Sequence, residues 1–137
     1  MSMRRMIYVS HATSPMSQRD LLDLLHDARG FNAADGITGA LMLRGELFVQ
    51  ILEGESEVLD DLWQRLQRDT RHAQARVLYD ESVDSRLFGD WSMASAQLDD
   101  PALAVLPGVA DAHDAEALVV SLAQQLPALA ECLRELV

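Results

Sequence analysis

The stretch FNAADGITGALMLRGELFVQILEG, residues 31–54, decides the fold of this chain of 137 residues. It contains two apolar runs, residues 37–43 and 47–52, separated by a short Arg-Gly-Glu turn. Apolar runs on both sides of a glycine are typical of a β-hairpin, in which Gly45 adopts the backbone conformation that the turn requires. The stretch therefore predicts two adjacent antiparallel strands.

Two carboxamides lie in this otherwise apolar stretch. Asn32 precedes the first run, and Gln50 lies inside the second. A buried amide without partners costs roughly 1–3 kcal/mol, so we expect the backbone or a ligand to bind both side chains.

Length and composition predict one globular domain with a core of its own, since 49% of the residues are hydrophobic and 24% are charged. The net charge of −11 argues against direct nucleic-acid binding, which depends on clustered Lys and Arg. The single cysteine, Cys132, excludes an internal disulfide. No apolar run approaches the roughly 18 residues of a spanning helix, and the amino terminus is too briefly apolar for a signal peptide. We therefore expect a soluble, cytoplasmic protein that does not bind membranes.

The remaining chain predicts strands and helices in a recognisable order. Residues 6–10 form a first strand, and a helix with apolar residues at every third or fourth position begins after Ser17. A second helix opens at Ser56, and two further strands occupy residues 76–79 and 92–98. The order β-α-β-β-α-β-β predicts an α+β, ferredoxin-like fold, with the first and third strands adjacent and both helices on one face.

Alternation along the central strands predicts that both faces of the sheet are apolar. Tyr8 and Gln50 share one face, whereas Ile7 and Ile51 share the other. A sheet that is apolar on both sides needs cover on both sides, and the two helices cover only one. We therefore divide the chain into a sheet domain, residues 1–98, and a helical segment, residues 99–137, that covers the other face or binds a partner.

Several polar and aromatic positions also have an ordinary structural explanation. Asn32 can cap the carboxyl end of the first helix. Arg65 and Asp69 lie four residues apart on the second helix and can form a surface ion pair worth roughly 0.3–0.5 kcal/mol. Trp91 can be a packing residue at the sheet edge. The residue pattern alone leaves these alternatives open.

Taken together, the motifs of residues 6–98 resemble those of the BLUF family, sensors of blue light using flavin. The resemblance rests on their order and ungapped spacing, and the motifs are Tyr8 in the first strand, Asn32 before Gly36-Ile37-Thr38-Gly39, Gln50-Ile51-Leu52-Glu53-Gly54, Arg71-His72 and Trp91-Ser92-Met93.

The resemblance implies FAD, with FMN or riboflavin as alternatives, bound between the two helices with its ring over the sheet. It implies that Gln50 bridges the Tyr8 hydroxyl and the flavin N5/C4=O edge. Asn32 would bind the C4=O and N3 region, and Arg71 would face the C2=O side. The implied surroundings of the flavin are His72, Arg65 and Asp69, with apolar packing from Leu21, Leu24, Leu25, Leu52, Leu62 and Leu66. Ala28 and Phe31 stand where some family members carry polar side chains.

The resemblance implies photochemistry rather than enzymatic turnover. Tyr8 would give an electron and a proton to the excited flavin, and Gln50 would end rotated or tautomerised, which shifts the flavin absorption to the red until the amide relaxes in darkness. Trp91 and Met93 would relay this change to an unidentified downstream protein or to a homo-oligomer.

Two other classes of function are compatible with the same order of elements. Small acylphosphatase-like hydrolases pair an arginine with an asparagine, as Arg65 or Arg71 could pair with Asn32. A flavin-free interaction module could also use this scaffold. A colourless protein that hydrolyses acyl phosphates would favour the first, and a yellow preparation would exclude the second.

Overall fold

The computed structural model describes residues 2–89, 91–98, 100–101, 103–109 and 114–136. The elements are β1 (Met3–Ala12), α1 (Gln18–Asp35), β2 (Thr38–Arg44), β3 (Leu47–Glu55), α2 (Ser56–Arg68), β4 (His72–Val83), β5 (Ala94–Gln97), a short 3-10 turn (Leu103–Val105), α3 (Ala115–Gln124) and α4 (Leu126–Leu136).

The five strands form one mixed sheet in the order β4-β1-β3-β2-β5. The first four are mutually antiparallel, and β5 joins β2 in parallel. This arrangement confirms the predicted α+β class, with β1 and β3 adjacent in the centre. Gly45 has a φ of 58° in the β2–β3 turn, as the predicted hairpin requires.

The first helix begins as predicted and ends later than predicted. Ser17 and Asp20 form a reciprocal capping box at its start, with each side chain accepting from the other's backbone N–H. Asn32 lies inside the helix, so the alternative that it caps the carboxyl end is wrong. The alanines after Asn32 continue the helix to Asp35, until Gly36, with a φ of 70°, caps it in the left-handed conformation.

Strand lengths also differ from the prediction where apolar alternation is weak. The fourth strand covers twelve residues rather than four, because it pairs along β1 despite a largely exposed edge. The fifth strand covers only Ala94–Gln97, so Trp91 and Met93 precede it rather than belonging to it.

Each face of the sheet is covered by its own layer of helices, as the alternation predicts. Met6 and Tyr8 pack with residues of α1 and α2, whereas Ile7 and Val9 pack with residues of α3 and α4. The residues of the last two helices that join this second core are Leu118, Val119, Leu122, Leu126, Leu129, Ala130 and Leu133. The carboxyl-terminal helices therefore cover the face that α1 and α2 leave open.

No helix in the part of the chain that the structure describes combines the length and apolar character needed to cross a bilayer.

Candidate functional site

A cavity of about 220 Å³ lies between α1, α2 and the central strands. Its walls are mainly apolar, with two amides at the sheet side and ionic side chains at the carboxyl end of α2. The lining residues are Tyr8, Leu24, Asp27, Ala28, Asn32, Leu41, Phe48, Gln50, Leu62, Arg65, Leu66, Asp69, Arg71 and His72. An apolar cavity with a few polar groups is the usual form of a small-molecule or cofactor site.

Tyr8 and Gln50 form a buried hydrogen-bonded pair at the wall of this cavity. They stand directly opposite each other in the β1–β3 pairing, and the Tyr8 hydroxyl donates to Gln50 Oε1. Burial raises the pKa of the Tyr8 hydroxyl, and the negative charge of Asp69 raises it further. Tyr8 is therefore a neutral phenol whose proton already points at an acceptor.

The other end of the Gln50 amide faces the segment before β5. Its Nε2 lies 3.5 Å from the Met93 sulfur, which is a weak acceptor. Both side chains are buried, with 5% of Gln50 and 2% of Met93 exposed. The Gln50 amide thus accepts from Tyr8 through its oxygen and donates to Met93 through its nitrogen.

Asn32 brings a second buried amide to the cavity from the last turn of α1. Its Nδ2 donates to the carbonyl oxygen of Ser92 at 2.9 Å, and 2% of the residue is exposed. A carboxamide has two N–H donors and an acceptor oxygen, so Asn32 can bind Ser92 and a ligand in the cavity at the same time.

Charged groups meet where the cavity reaches the end of α2. Arg71 bonds Asp69 at 2.6 Å and Asp27 of α1 at 3.1 Å. The hydrogen bonds from Arg71 lower the pKa of Asp69, and in return the Asp69 carboxylate raises the pKa of Arg71. Arg65 bonds Asp35 at 3.0 Å. Arg65 therefore has a carboxylate partner on α1, and Asp69, the partner that the sequence spacing predicts for Arg65, is bound by Arg71.

Two aromatic rings support the ring of Tyr8. The Trp63 ring makes an edge contact with it at 5.3 Å between centroids, and the His72 ring makes another at 6.2 Å. His72 Nε2 donates to the carbonyl oxygen of Leu66, which only accepts. His72 Nδ1 lies 2.7 Å from the Ser10 hydroxyl oxygen.

Trp91 lies on the opposite side of the sheet from Met93. Its ring packs against Phe88 at 5.9 Å between centroids, and the Arg134 guanidinium of α4 lies 6.0 Å from the ring centre. Met93 belongs to the core beneath α1 and α2, whereas Trp91 packs against the core beneath α3 and α4. Two residues of one short segment therefore contact both layers of helices.

A family model described as "Sensors of blue-light using FAD" matches residues 3–94 of this chain. The chain belongs to the BLUF family. Photoactivated adenylate cyclase subunit beta of Euglena gracilis is 34% identical over 105 residues, which are 76% of this chain and 12% of that protein. The chain thus spans about an eighth of the length of this curated relative.

Two solved structures match nearly the whole fold. The BLUF protein BlrB in its dark state has a TM-score of 0.78 at 26% identity, over 93% of this chain and 96% of that one. BlsA in its photo-activated state has a TM-score of 0.74 at 30% identity, over 90% of this chain and 94% of that one. Both matches include most of the carboxyl-terminal helical segment.

The cavity fits the cofactor that defines the BLUF family. FAD presents a flat, largely apolar ring system with hydrogen-bonding atoms along its edges. The leucines of α1 and α2 supply apolar walls, and the buried amides of Asn32 and Gln50 face the cavity with further bonding capacity. The ionic groups at the end of α2 lie where a polar ligand tail can reach water.

Most of the BLUF residues predicted from the sequence lie in this cavity wall. They are Tyr8, Asn32, Gln50, Arg65, Leu66, Asp69, Arg71 and His72, together with Leu24 and Leu62. Leu25 and Leu52 are buried in the adjoining core and lie outside the set of lining residues.

Three lining residues were not predicted, although the BLUF fold places each beside one that was. Leu41 is the β2 partner of Gln50, and Phe48 lies two residues before Gln50 on the same face. Asp27 lies one helical turn after Leu24. Strand register and helix periodicity were the signals that could have identified them.

Proposed function

We propose that this BLUF protein is a blue-light photosensor in which Tyr8 donates an electron and a proton and the Gln50 amide is the switching element. The observation that carries the proposal is the buried chain of contacts from Tyr8 through Gln50 to Met93 at the cavity wall. Asn32, Arg65, Asp69, Arg71 and His72 would hold the cofactor around this chain.

The flavin, when bound, supplies absorption of blue light and an excited state that oxidises a nearby phenol. Tyr8 loses its proton readily only if an acceptor is in place, because burial opposes a bare phenolate. Gln50 Oε1 accepts from Tyr8, so the phenol proton would leave along an existing hydrogen bond and pass through the Gln50 amide toward the flavin, which would take the electron lost by the ring. Return of the electron and the proton restores the phenol.

The amide of Gln50 has two distinguishable arrangements, which a switch requires. Rotation or tautomerisation exchanges the donor and acceptor that it presents to its neighbours. After rotation, the amide oxygen would face the Met93 sulfur in place of Nε2, and two acceptors do not bond. The change at Gln50 is thereby converted into a lost contact at Met93.

We propose that residues 1–98 form the photosensory unit and that residues 99–137 form a helical cap that passes the signal on. Trp91 supports this assignment because it joins the segment holding Met93 to Arg134 of α4. A separate partner protein or a homo-oligomer would receive the signal, in place of the cyclase that the Euglena relative's name records for that protein.

A hydrolase is the less supported alternative. Arg65 and Arg71 both have carboxylate partners, and the Asn32 amide donates to a backbone carbonyl, whereas an oxyanion site needs donors aimed at the substrate. We therefore assign the chain no enzymatic activity of its own.

The test is the absorption spectrum of the purified chain before and after blue illumination, together with extraction of the bound cofactor. We expect a bound flavin whose spectrum shifts to the red and reverts in darkness. Size-exclusion chromatography in light and darkness then measures the oligomeric state. A bound flavin that neither shifts nor reverts would refute the proposal, and a colourless protein that hydrolyses acyl phosphates would favour the alternative.

A further inference from the structure

The segment 91–93 is held to the rest of the fold through three consecutive carbonyl oxygens. In chain order, these oxygens accept from the Gly39 backbone N–H at 3.1 Å, from Asn32 Nδ2 at 2.9 Å and from Arg29 Nε at 3.0 Å. Two of the three donors are side chains of α1. The segment that contacts Gln50 is therefore fastened to the helix that lines the opposite wall of the cavity.

Arg29 makes the last of these bonds from outside the cavity. It lies three residues before Asn32, so both side chains leave the same face of α1 and reach neighbouring carbonyls. Arg29 itself is exposed, and it does not belong to the cavity lining. Met93 is thus held at two points, with its sulfur facing Gln50 and its carbonyl oxygen bound by Arg29.

We infer that Arg29 is a positioning residue that fastens the Met93 backbone to α1 and thereby sets how long the signalling state lasts. This inference rests on the proposed function, since it concerns the step after Gln50 changes.

The direction of the effect follows from the arrangement of the contacts. When the Gln50 amide rotates, the contact with the Met93 sulfur is lost, and the bond from Arg29 then opposes displacement of the segment. Removing that bond lowers the free energy of the displaced segment relative to the arrangement described here. The free-energy difference that favours return of the segment in darkness becomes smaller, so dark recovery slows.

The experiment compares dark recovery in the full chain carrying Arg29→Met, Arg29→Lys or Arg19→Met. Methionine keeps the apolar stem of Arg29 without a donor, and lysine keeps both the charge and a donor. Arg19 is an exposed arginine near the start of α1 and controls for loss of one positive charge. We expect Arg29→Met to keep the full red shift and to recover about fivefold more slowly, as loss of one ordinary hydrogen bond permits. Arg29→Lys should lie nearer the parent chain, and Arg19→Met should match it.

A second measurement reports on the segment without the photocycle. The chain has two tryptophans, so Trp63→Phe leaves Trp91 as the only one. In this background, acrylamide should quench Trp91 fluorescence more strongly in the dark when Arg29→Met is added, in protein with or without flavin.

Unchanged recovery in Arg29→Met would overturn the inference whatever the quenching shows, and so would equal slowing by Arg19→Met or faster recovery in Arg29→Met. A parent chain that binds flavin without any reversible shift would instead refute the proposed function. The two failures are therefore distinguishable.

Discussion

The Tyr8 hydroxyl donates a hydrogen bond to Gln50 Oε1 across the central pair of strands, and the two residues are register partners. Register makes this contact a property of the sheet rather than of a mobile loop. A slip of one residue in either strand would move one of the two side chains to the face beneath α3 and α4. The geometry of the proposed switch is therefore as rigid as the core of the sheet.

The raised pKa of Tyr8 predicts a loss of stability in alkali. Tyr8 keeps its proton in the folded chain above its ordinary pKa of 10.0, whereas the unfolded chain releases it. The folded state then binds more protons, so the free energy of unfolding is unaffected below about pH 10 and falls as pH rises further.

Tyr79→Phe makes this prediction measurable, because it leaves Tyr8 as the only tyrosine and removes a second phenol whose pKa burial raises. Phenolate absorbance in this variant should appear only well above pH 10 and together with loss of the folded circular dichroism signal. Reversible ionisation near pH 10 in the folded chain would contradict the prediction.

Asn32→Ala should weaken flavin binding while leaving the fold intact. The substitution removes a buried amide from the cavity wall and also the bond to Ser92 that positions it. Losing such polar contacts costs roughly 1–3 kcal/mol, so the flavin dissociation constant should rise by roughly tenfold or more in a fluorescence titration. Gln18→Ala removes an exposed amide from the start of the same helix and should leave the affinity unchanged.

The faces of the sheet were predictable from the sequence because they depend on local alternation. Tyr8 and Gln50 could be placed together from the order of strands and the parity of each strand alone. The end of α1 was less predictable, since Asn32 resembles a cap and only the dihedral angles of Gly36 show where the helix stops.

Contacts between distant segments could not be predicted in the same way. Arg29 looks like an ordinary surface charge in the sequence, yet it binds the Met93 carbonyl. The resemblance assigns Arg71 to the flavin but gives no sign that it joins Asp69 to Asp27 of α1. Nothing in local periodicity encodes a partner 64 residues away along the chain. Such contacts follow only once the packing of helices on the sheet is known.

Glu53 also binds residues that are distant along the chain. It is fully buried, accepts from the Arg5 guanidinium at 2.8 Å, and also accepts from the backbone N–H groups of Leu87 and Phe88. Glu53→Gln should lower the free energy of unfolding in urea by roughly 3 kcal/mol, because it leaves the buried Arg5 without a charged partner. Glu55→Gln, at the exposed end of the same strand, should change stability by less than about 0.5 kcal/mol. Equal stabilities for the two variants would contradict this account of the buried pair.

The cover provided by α3 can be tested with two residues of that helix. Leu122 is fully buried against the sheet core, whereas Val120 is 56% exposed. Leu122→Ala should lower the free energy of unfolding by roughly 2–5 kcal/mol. Val120→Ala should stay within about 0.5 kcal/mol of the parent chain. Truncation after Leu98 should expose the apolar face and cause aggregation, and a well-behaved monomer from that truncation would contradict the need for this cover.

Gln50 is the proposed switching element beside Tyr8. The most direct measurement is the light-minus-dark absorption difference of Gln50→Leu, compared with that of the parent chain under the same illumination. We predict that Gln50→Leu retains flavin but gives no red shift that reverses in darkness, because leucine cannot accept from Tyr8 or exchange donor and acceptor. A Gln50→Leu variant that still shifts to the red and reverts in the dark would show that Gln50 is not the switching element.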